Sequence, residues 1–249
     1  VLVIGIGAGD PDHVTMQAVA ALNAADVFFV IDKGAAKHEL VRLRRKICER
    51  YIDGESYRIV EVSDPVRDRT AADYAAAVAV WRSARADAWE ALIAGELGED
   101  DCGAFLVWGD PALYDSTIAI LGEIAARGRV AFAFEVVPGI SSVQALAAAH
   151  RIPLHRVGEP VRITTGRRLL EDPDDGGDAV VMLDAACAFD AVSDRDTEIF
   201  WGAYVGTEHE LLVSGRLRDV AAEIVELRAR ARERHGWIMD VYLLRSTAG

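Results

Sequence analysis

The sequence predicts an α/β protein of two lobes, on three observations. Short apolar runs rich in strand formers alternate with longer amphipathic stretches through the first half of the chain. Three of those runs stop abruptly in Gly/Pro loops, at 5–11, 109–111 and 138–139, as strands of an open sheet stop where ligands are held. Beyond the Pro153 to Pro160 link the alternation loses its regularity, which sets an N-terminal lobe over 1–154 against a C-terminal lobe over 155–249.

Composition narrows the function. A chain of 249 residues, 51% hydrophobic, can bury a sizeable core. A net charge of -13 argues against nucleic acid as the main partner, because polyanion binding relies on clustered Lys and Arg. Cys48, Cys102 and Cys187 are widely spaced, with no pairing of the kind that binds zinc, so no metal and a reduced, cytoplasmic protein are expected. No apolar run reaches the roughly eighteen residues of a membrane span.

Residues 1–4 read as a buried strand entering Gly5-Ile-Gly7-Ala-Gly9-Asp10-Pro11. The spacing shares part of a dinucleotide fingerprint, but Asp10-Pro11 stands where a pyrophosphate needs bare amides, which disfavours a nicotinamide cofactor. Asp12 or the Thr15 hydroxyl can cap a helix over about 14–25, and 27–31 forms a strand. The basic helix 37–51 interleaves Arg42, Arg44, Arg45, Lys46 and Arg50 with apolar residues. A solvated face is its plain reading, and a carboxylate-binding rim the functional one. A strand at 57–62, a loop with Arg67 and Arg69, and a long Ala-rich helix over 71–97 follow, with Trp81 and Trp89 expected to pack the core.

Phe105-Leu-Val-Trp108 is a strand broken by Gly109-Asp110-Pro111. Gly109 permits close backbone approach, Asp110 offers a carboxylate to an ammonium or hydroxyl, and Pro111 holds the loop's shape. By itself such a triplet is an ordinary turn. Asp115, Ser116 and Thr117 start a helix that ends near Gly128. Residues 130–136 read as a strand leading to Pro138-Gly139, and Ser141 or Ser142 caps a helix over 143–150. Further strands are expected at 161–167 (with a turn), 179–183, 198–205 and 238–244, with a helix over 218–234.

The three loops occur in a fixed order: Gly5-Ile-Gly-Ala-Gly-Asp-Pro11, Trp108-Gly-Asp-Pro-Ala-Leu-Tyr114, and Val137-Pro-Gly-Ile-Ser-Ser142 with Ile152-Pro-Leu154. Together they resemble those of the tetrapyrrole methylases, and Val205-Gly-Thr207 with Ser214-Gly-Arg-Leu217 extends the likeness. The resemblance implies a bilobal homodimer with S-adenosylmethionine in the cleft between the lobes, S-adenosylhomocysteine as product, and a small tetrapyrrole as substrate. It implies that Trp108, Gly109, Asp110, Leu113 and Tyr114 hold the methionine part of the cofactor, with Ser141 and Ser142 beside them. Leu183 falls where the family carries a methionine next to the adenosine, and Ala8 where many relatives carry proline. Gly202, Ala203 and Met239 lie on strands that would complete the adenine and ribose pocket.

The reaction implied is C-methylation of a corrinoid precursor of cobalamin with loss of an acetyl group as acetate. Loss of acetate requires water to add to a ketone, and Asp10, Tyr114 and Asp115 are the candidates to position it, a loop or cap role being the plain alternative for each. Arg42, Arg45, Arg67, Arg69 and Arg167 are the candidates for the substrate's carboxylates. Methylation of RNA or of a translation factor, also found on this fold, and a non-catalytic cofactor-binding module are the rival readings.

Overall fold

Five parallel strands make the first sheet: β1 (Leu2–Gly5), β2 (Val27–Asp32), β3 (Arg58–Ser63), β4 (Gly103–Val107) and β5 (Glu135–Val137), in the order β3-β2-β4-β1-β5. A computed structural model of the protein describes all residues except 33–37, 55, 66–72, 172–176, 193 and 247–249. Both faces of this sheet are covered, so neighbouring residues on one strand serve opposite layers. Ile4, Phe28 and Leu106 pack with Ala18 and Leu22 of α1 (Met16–Ala24) and with Ile47 and Cys48 of α2 (His38–Tyr51). Val3, Phe29 and Phe105 pack on the other side with Trp89 and Ile93 of α3 (Tyr74–Glu96) and Ile120 and Ile124 of α4 (Thr117–Arg127). Trp89 stacks on Phe105 with ring centroids 4.4 Å apart, the core role expected for it.

β1 lies between β4 and β5, with Gly5 opposite Val107 and Ile4 opposite Val137. The carboxyl ends of these three strands are therefore adjacent, which brings together the loops that follow them. Of the two possible caps of α1, the chain uses Thr15, whose Oγ accepts the Ala18 N–H at 3.0 Å.

The chain divides into two compact units, one of Val1–Gly7 and Pro11–Ile140, the other of Ala8–Asp10 and Ser141–Gly249. The second has a five-stranded sheet of β6 (Val161–Thr165), β7 (Asp178–Met182), β8 (Glu198–Ala203), β9 (Leu211–Arg216) and β10 (Asp240–Arg245), in the order β6-β7-β10-β8-β9. Only β6 and β7 run parallel; the remaining pairs are antiparallel. Trp201, Tyr242, Phe189 and Val181 form its core with Leu217, Ala221 and Ile224 of α7 (Leu217–His235).

Four features depart from the sequence reading. The division falls after Ile140 rather than after residue 154, because α5 (Ser142–His150) packs on β8, β9 and β10. β5 is three residues long; Val130, Phe132 and Phe134 pack against the core without joining the ladder. The turn after β6 is a short helix, α6 (Gly166–Glu171), and β9 is an additional edge strand. No helix among the described residues is long and apolar enough to cross a membrane.

Candidate active site

The loops after β1, β4 and β5 are joined backbone to backbone. Gly109 N–H donates to the Gly7 carbonyl at 2.8 Å, and Ile6 N–H donates to the Val107 carbonyl at 2.9 Å. Gly7 and Gly109 have φ of 82° and 69°, left-handed values that glycine adopts without steric cost. A Cβ on Gly139 would collide with the Gly109 carbonyl oxygen, and one on Gly5 would lie 2.6 Å from the Gly139 nitrogen. Asp110 closes the arrangement: Oδ2 accepts the Gly139 N–H at 2.9 Å and Oδ1 the Ala112 N–H at 2.8 Å. The carboxylate that the sequence offers to a ligand is thus engaged in building the loop, with a second lone pair left on each oxygen. The Leu113 N–H likewise donates within the turn, to the Asp110 carbonyl at 3.2 Å. Trp108 is partly buried against the α1 and α2 layer, and its Nε1 has no hydrogen-bond partner among the described residues.

Tyr114 is 47% exposed and held at φ 50°, and partial burial of its ring raises the phenol pKa. Asp115 is exposed, and its Oδ1 accepts the Thr117 N–H at 2.7 Å, the capping bond that Ser116 does not make. Ser116 Oγ instead accepts from Arg85 Nη1 at 3.1 Å. The buried Arg85 guanidinium also grips Asp64 through two bonds, Nε to Oδ1 at 2.7 Å and Nη2 to Oδ2 at 2.5 Å, and lies 4.3 Å from the Trp81 ring centroid. Arg85 therefore ties the end of β3 to the start of α4. Nothing in the sequence reading singled it out, since an arginine on an Ala-rich helix looks solvated.

The arginines expected to meet substrate are distributed unevenly. Arg42, Arg45 and Arg167 are exposed; Arg45 pairs with Glu61 and Arg167 with Glu171, each at 3.3 Å. Arg67 and Arg69 lie outside the described residues. Arg44, read only as part of the basic helix, stands three and four residues before the buried Ile47 and Cys48 and so shares the packed face of α2. That i, i+3, i+4 spacing is the signal that could have found it.

In the second unit, Ala8 is buried and Asp10 partly buried. Between them Gly9 has φ 154°, and a Cβ there would lie 2.5 Å from Thr207 Cγ2 and 3.0 Å from the Val205 carbonyl. Ser141, fully buried, caps α5: its Oγ accepts the Val143 N–H at 3.2 Å while Gln144 Oε1 accepts the Ser141 N–H at 3.1 Å. Ser142 is the first residue of that helix and partly exposed. Gly202 and Ala203 are buried in β8, where a Cβ on Gly202 would lie 2.8 Å from Leu146 Cδ1 of α5. The Met239 carbonyl accepts the Tyr204 N–H at 2.9 Å.

Leu183, at the end of β7, is 63% exposed with φ 53°. The next residue, Asp184, is buried and anchors the turn: Oδ2 accepts the Tyr242 hydroxyl at 2.7 Å and the Ala188 N–H at 2.6 Å, and Oδ1 accepts the Ala186 N–H at 2.9 Å. Arg228 donates to the Asp184 carbonyl at 2.5 Å and to Asp240 Oδ2 at 2.9 Å, and Trp201 Nε1 shares that Asp240 oxygen at 3.1 Å. Burial pushes the Asp240 carboxyl up against the opposing pull of Arg228, and burial with the adjoining Asp184 pushes the Tyr242 phenol far above its ordinary value.

Residues 1–221 match the family described as Tetrapyrrole (Corrin/Porphyrin) Methylases, and the chain belongs to that family. Over its whole length it is 54% identical to a precorrin-6A synthase [deacetylating] from Sinorhizobium sp, of which it covers 95%. Among solved structures it resembles a putative cobalamin synthesis related protein (CobF) from Corynebacterium diphtheriae, with 38% identity, a TM-score of 0.84, and 98% and 97% of the two chains covered. The fold also recurs in a cobalt precorrin-4 methyltransferase (CbiF), with 16% identity and a TM-score of 0.66 over 98% and 93% of the chains.

Proposed function

We propose that the protein is an S-adenosylmethionine-dependent C-methyltransferase that converts precorrin-5 to precorrin-6A, methylating C1 and releasing the acetyl group as acetate, in cobalamin biosynthesis. The observation that carries this reading is the 54% identity, over all of this chain and 95% of the relative, to the deacetylating precorrin-6A synthase. Gly109, without a side chain and at a left-handed φ of 69°, suits the close approach of a cofactor at the carboxyl edge of the first sheet, while Gly5 and Gly139 let the loops after β1 and β5 pack against each other. When bound, the sulfonium supplies an electrophilic methyl group. The residues that would hold it are Trp108, Gly109, Asp110, Leu113 and Tyr114, with Ala8, Ser141, Ser142, Leu183, Gly202, Ala203 and Met239.

Methyl transfer by in-line displacement needs alignment and exclusion of water more than a base. Deacetylation needs water added to the ketone. The hydrate then breaks its bond to the ring, acetate leaves with the oxygen taken from water, and the electron pair passes through the conjugated ring to make C1 nucleophilic. Asp10, Tyr114 and Asp115 are the groups proposed to position that water. The reading includes a cytoplasmic homodimer with neither nucleic acid nor membrane as partner, in keeping with the net charge of -13.

Incubation with methyl-labelled cofactor and precorrin-5, followed by mass analysis, tests it: one labelled methyl and one acetate per turnover are expected. Cofactor binding with no transfer to any tetrapyrrole would leave a binding module instead. Replacing Asp10, Tyr114 and Asp115 singly, with acetate and methyl followed separately, assigns the water-positioning group.

A further inference from the structure

Arg44 is a partly buried cation of the first unit. It sits in the second turn of α2, on the face whose next residues, Ile47 and Cys48, are buried in the core layer. α2 follows β2, β2 pairs with β4, and the loop that follows β4 ends in Asp115. Arg44 keeps part of its surface open to solvent. It makes neither a hydrogen bond nor an ion pair among the described residues, whereas its neighbours on the outer face are compensated: Arg45 by Glu61, and Arg50 by Asp12. Burial lowers the guanidinium pKa, and the charge of Asp115 partly offsets this. Asp115 is itself occupied in capping α4.

A guanidinium held partly out of water without an ion pair opposes folding, and such arrangements collect at functional sites. Its planar fork suits a carboxylate bound through two parallel hydrogen bonds. We propose that Arg44 is a substrate-binding residue that takes one peripheral carboxylate of the tetrapyrrole at the carboxyl edge of the first sheet. This rests on the function proposed above and adds to it a residue that charge counting along the outer face of α2 does not reach.

The test compares wild type with R44Q and R44K, using uroporphyrin, an octacarboxylate porphyrin, as a fluorescent binding probe. S-adenosylhomocysteine affinity by calorimetry and the Tm are measured alongside. R44Q is expected to bind the probe about ten- to a hundredfold more weakly, the loss of a charge-assisted pair, with R44K recovering part of it. Cofactor-product affinity should stay within about twofold in R44Q, and its Tm should not fall, because a partly buried charge without an ion pair has been removed. Undiminished probe binding by R44Q, no probe binding by wild type, or a parallel loss of S-adenosylhomocysteine affinity overturns the assignment. The probe requires no turnover, so absent methyl transfer in wild type counts against the proposed reaction, and normal probe binding by R44Q counts against Arg44.

Discussion

The Asp110 carboxylate and the Gly139 N–H meet at 2.9 Å, bridging the loops that follow β4 and β5. The other Asp110 oxygen holds the Ala112 N–H, so one side chain satisfies two loop amides. D110A removes both acceptors and is expected to destabilise the protein by roughly 2–4 kcal/mol, from the usual worth of hydrogen bonds to a charged group. D110N keeps one acceptor and turns an NH2 toward the other amide, so it should fall between. Chemical denaturation of the three proteins checks the order, and D110N as stable as wild type would contradict it.

Alanine at Gly139 meets a different obstacle, because its Cβ would strike the Gly109 carbonyl and come within 2.8 Å of the Gly5 carbonyl carbon. Both are backbone atoms that cannot rotate away. G139A should cost about 4 kcal/mol or more, at the severe end for single substitutions. Gly122, inside α4, has no atom within 4 Å of such a Cβ. G122A should therefore stabilise by about 0.5–1 kcal/mol through helix propensity. Opposite signs in thermal melts are the expected result.

Tyr242 gives a pH signature in the second unit. Its hydroxyl donates to Asp184, and burial raises its pKa, so the folded protein keeps a proton that the unfolded chain begins to lose near pH 10. The folded state then binds more protons, and stability from this group, complete below that pH, declines as pH rises further, by up to about 1.4 kcal/mol per unit. Y242F should be less stable than wild type by roughly 1–3 kcal/mol at pH 8. The gap should narrow by about 1 kcal/mol between pH 9 and 11 in urea titrations. A constant gap would mean that the phenol ionises alike in both states.

Arg45 and Arg167 are exposed and already paired with Glu61 and Glu171. As proposed substrate-steering groups they act at long range and are screened by salt. R45E and R167E should raise the apparent KM severalfold at low ionic strength and leave it near wild type at about 0.5 M salt, where the screening length is only a few ångströms. Stability should change by less than about 1 kcal/mol, as for other surface ion pairs. A KM insensitive to both charge and salt would remove these two residues from substrate binding.

The alternation of strands and helices and the Gly/Pro loops were legible because buried parallel strands and tight turns impose strong residue preferences. Gly109, Asp110 and Gly139 were found for that reason, although the partner of Asp110 was not: which amide a carboxylate meets depends on strand order, which no local pattern encodes. The run ending at Val136 was read as a long strand because Val130, Phe132 and Phe134 alternate, and their burial needed packing but no ladder. β9 escaped because an edge strand with Leu212 and Ser214 outward and a glycine at position 215 carries a weak signal. Arg85 and Asp184 escaped, since composition assigns charged residues to the surface and only three-dimensional packing shows that these two face inward, whereas the inward face of Arg44, named within the basic helix, was marked by its spacing from Ile47 and Cys48.

The three residues Ala8–Asp10 are grouped with a unit whose remaining chain begins at Ser141, and Gly9 fits closely beneath Val205 and Thr207. Those residues are synthesised well before Val205 and Thr207, and have no seat until both have been made. No single cut can then yield two self-sufficient halves, and a fragment starting at Ser141 would lack its own wedge.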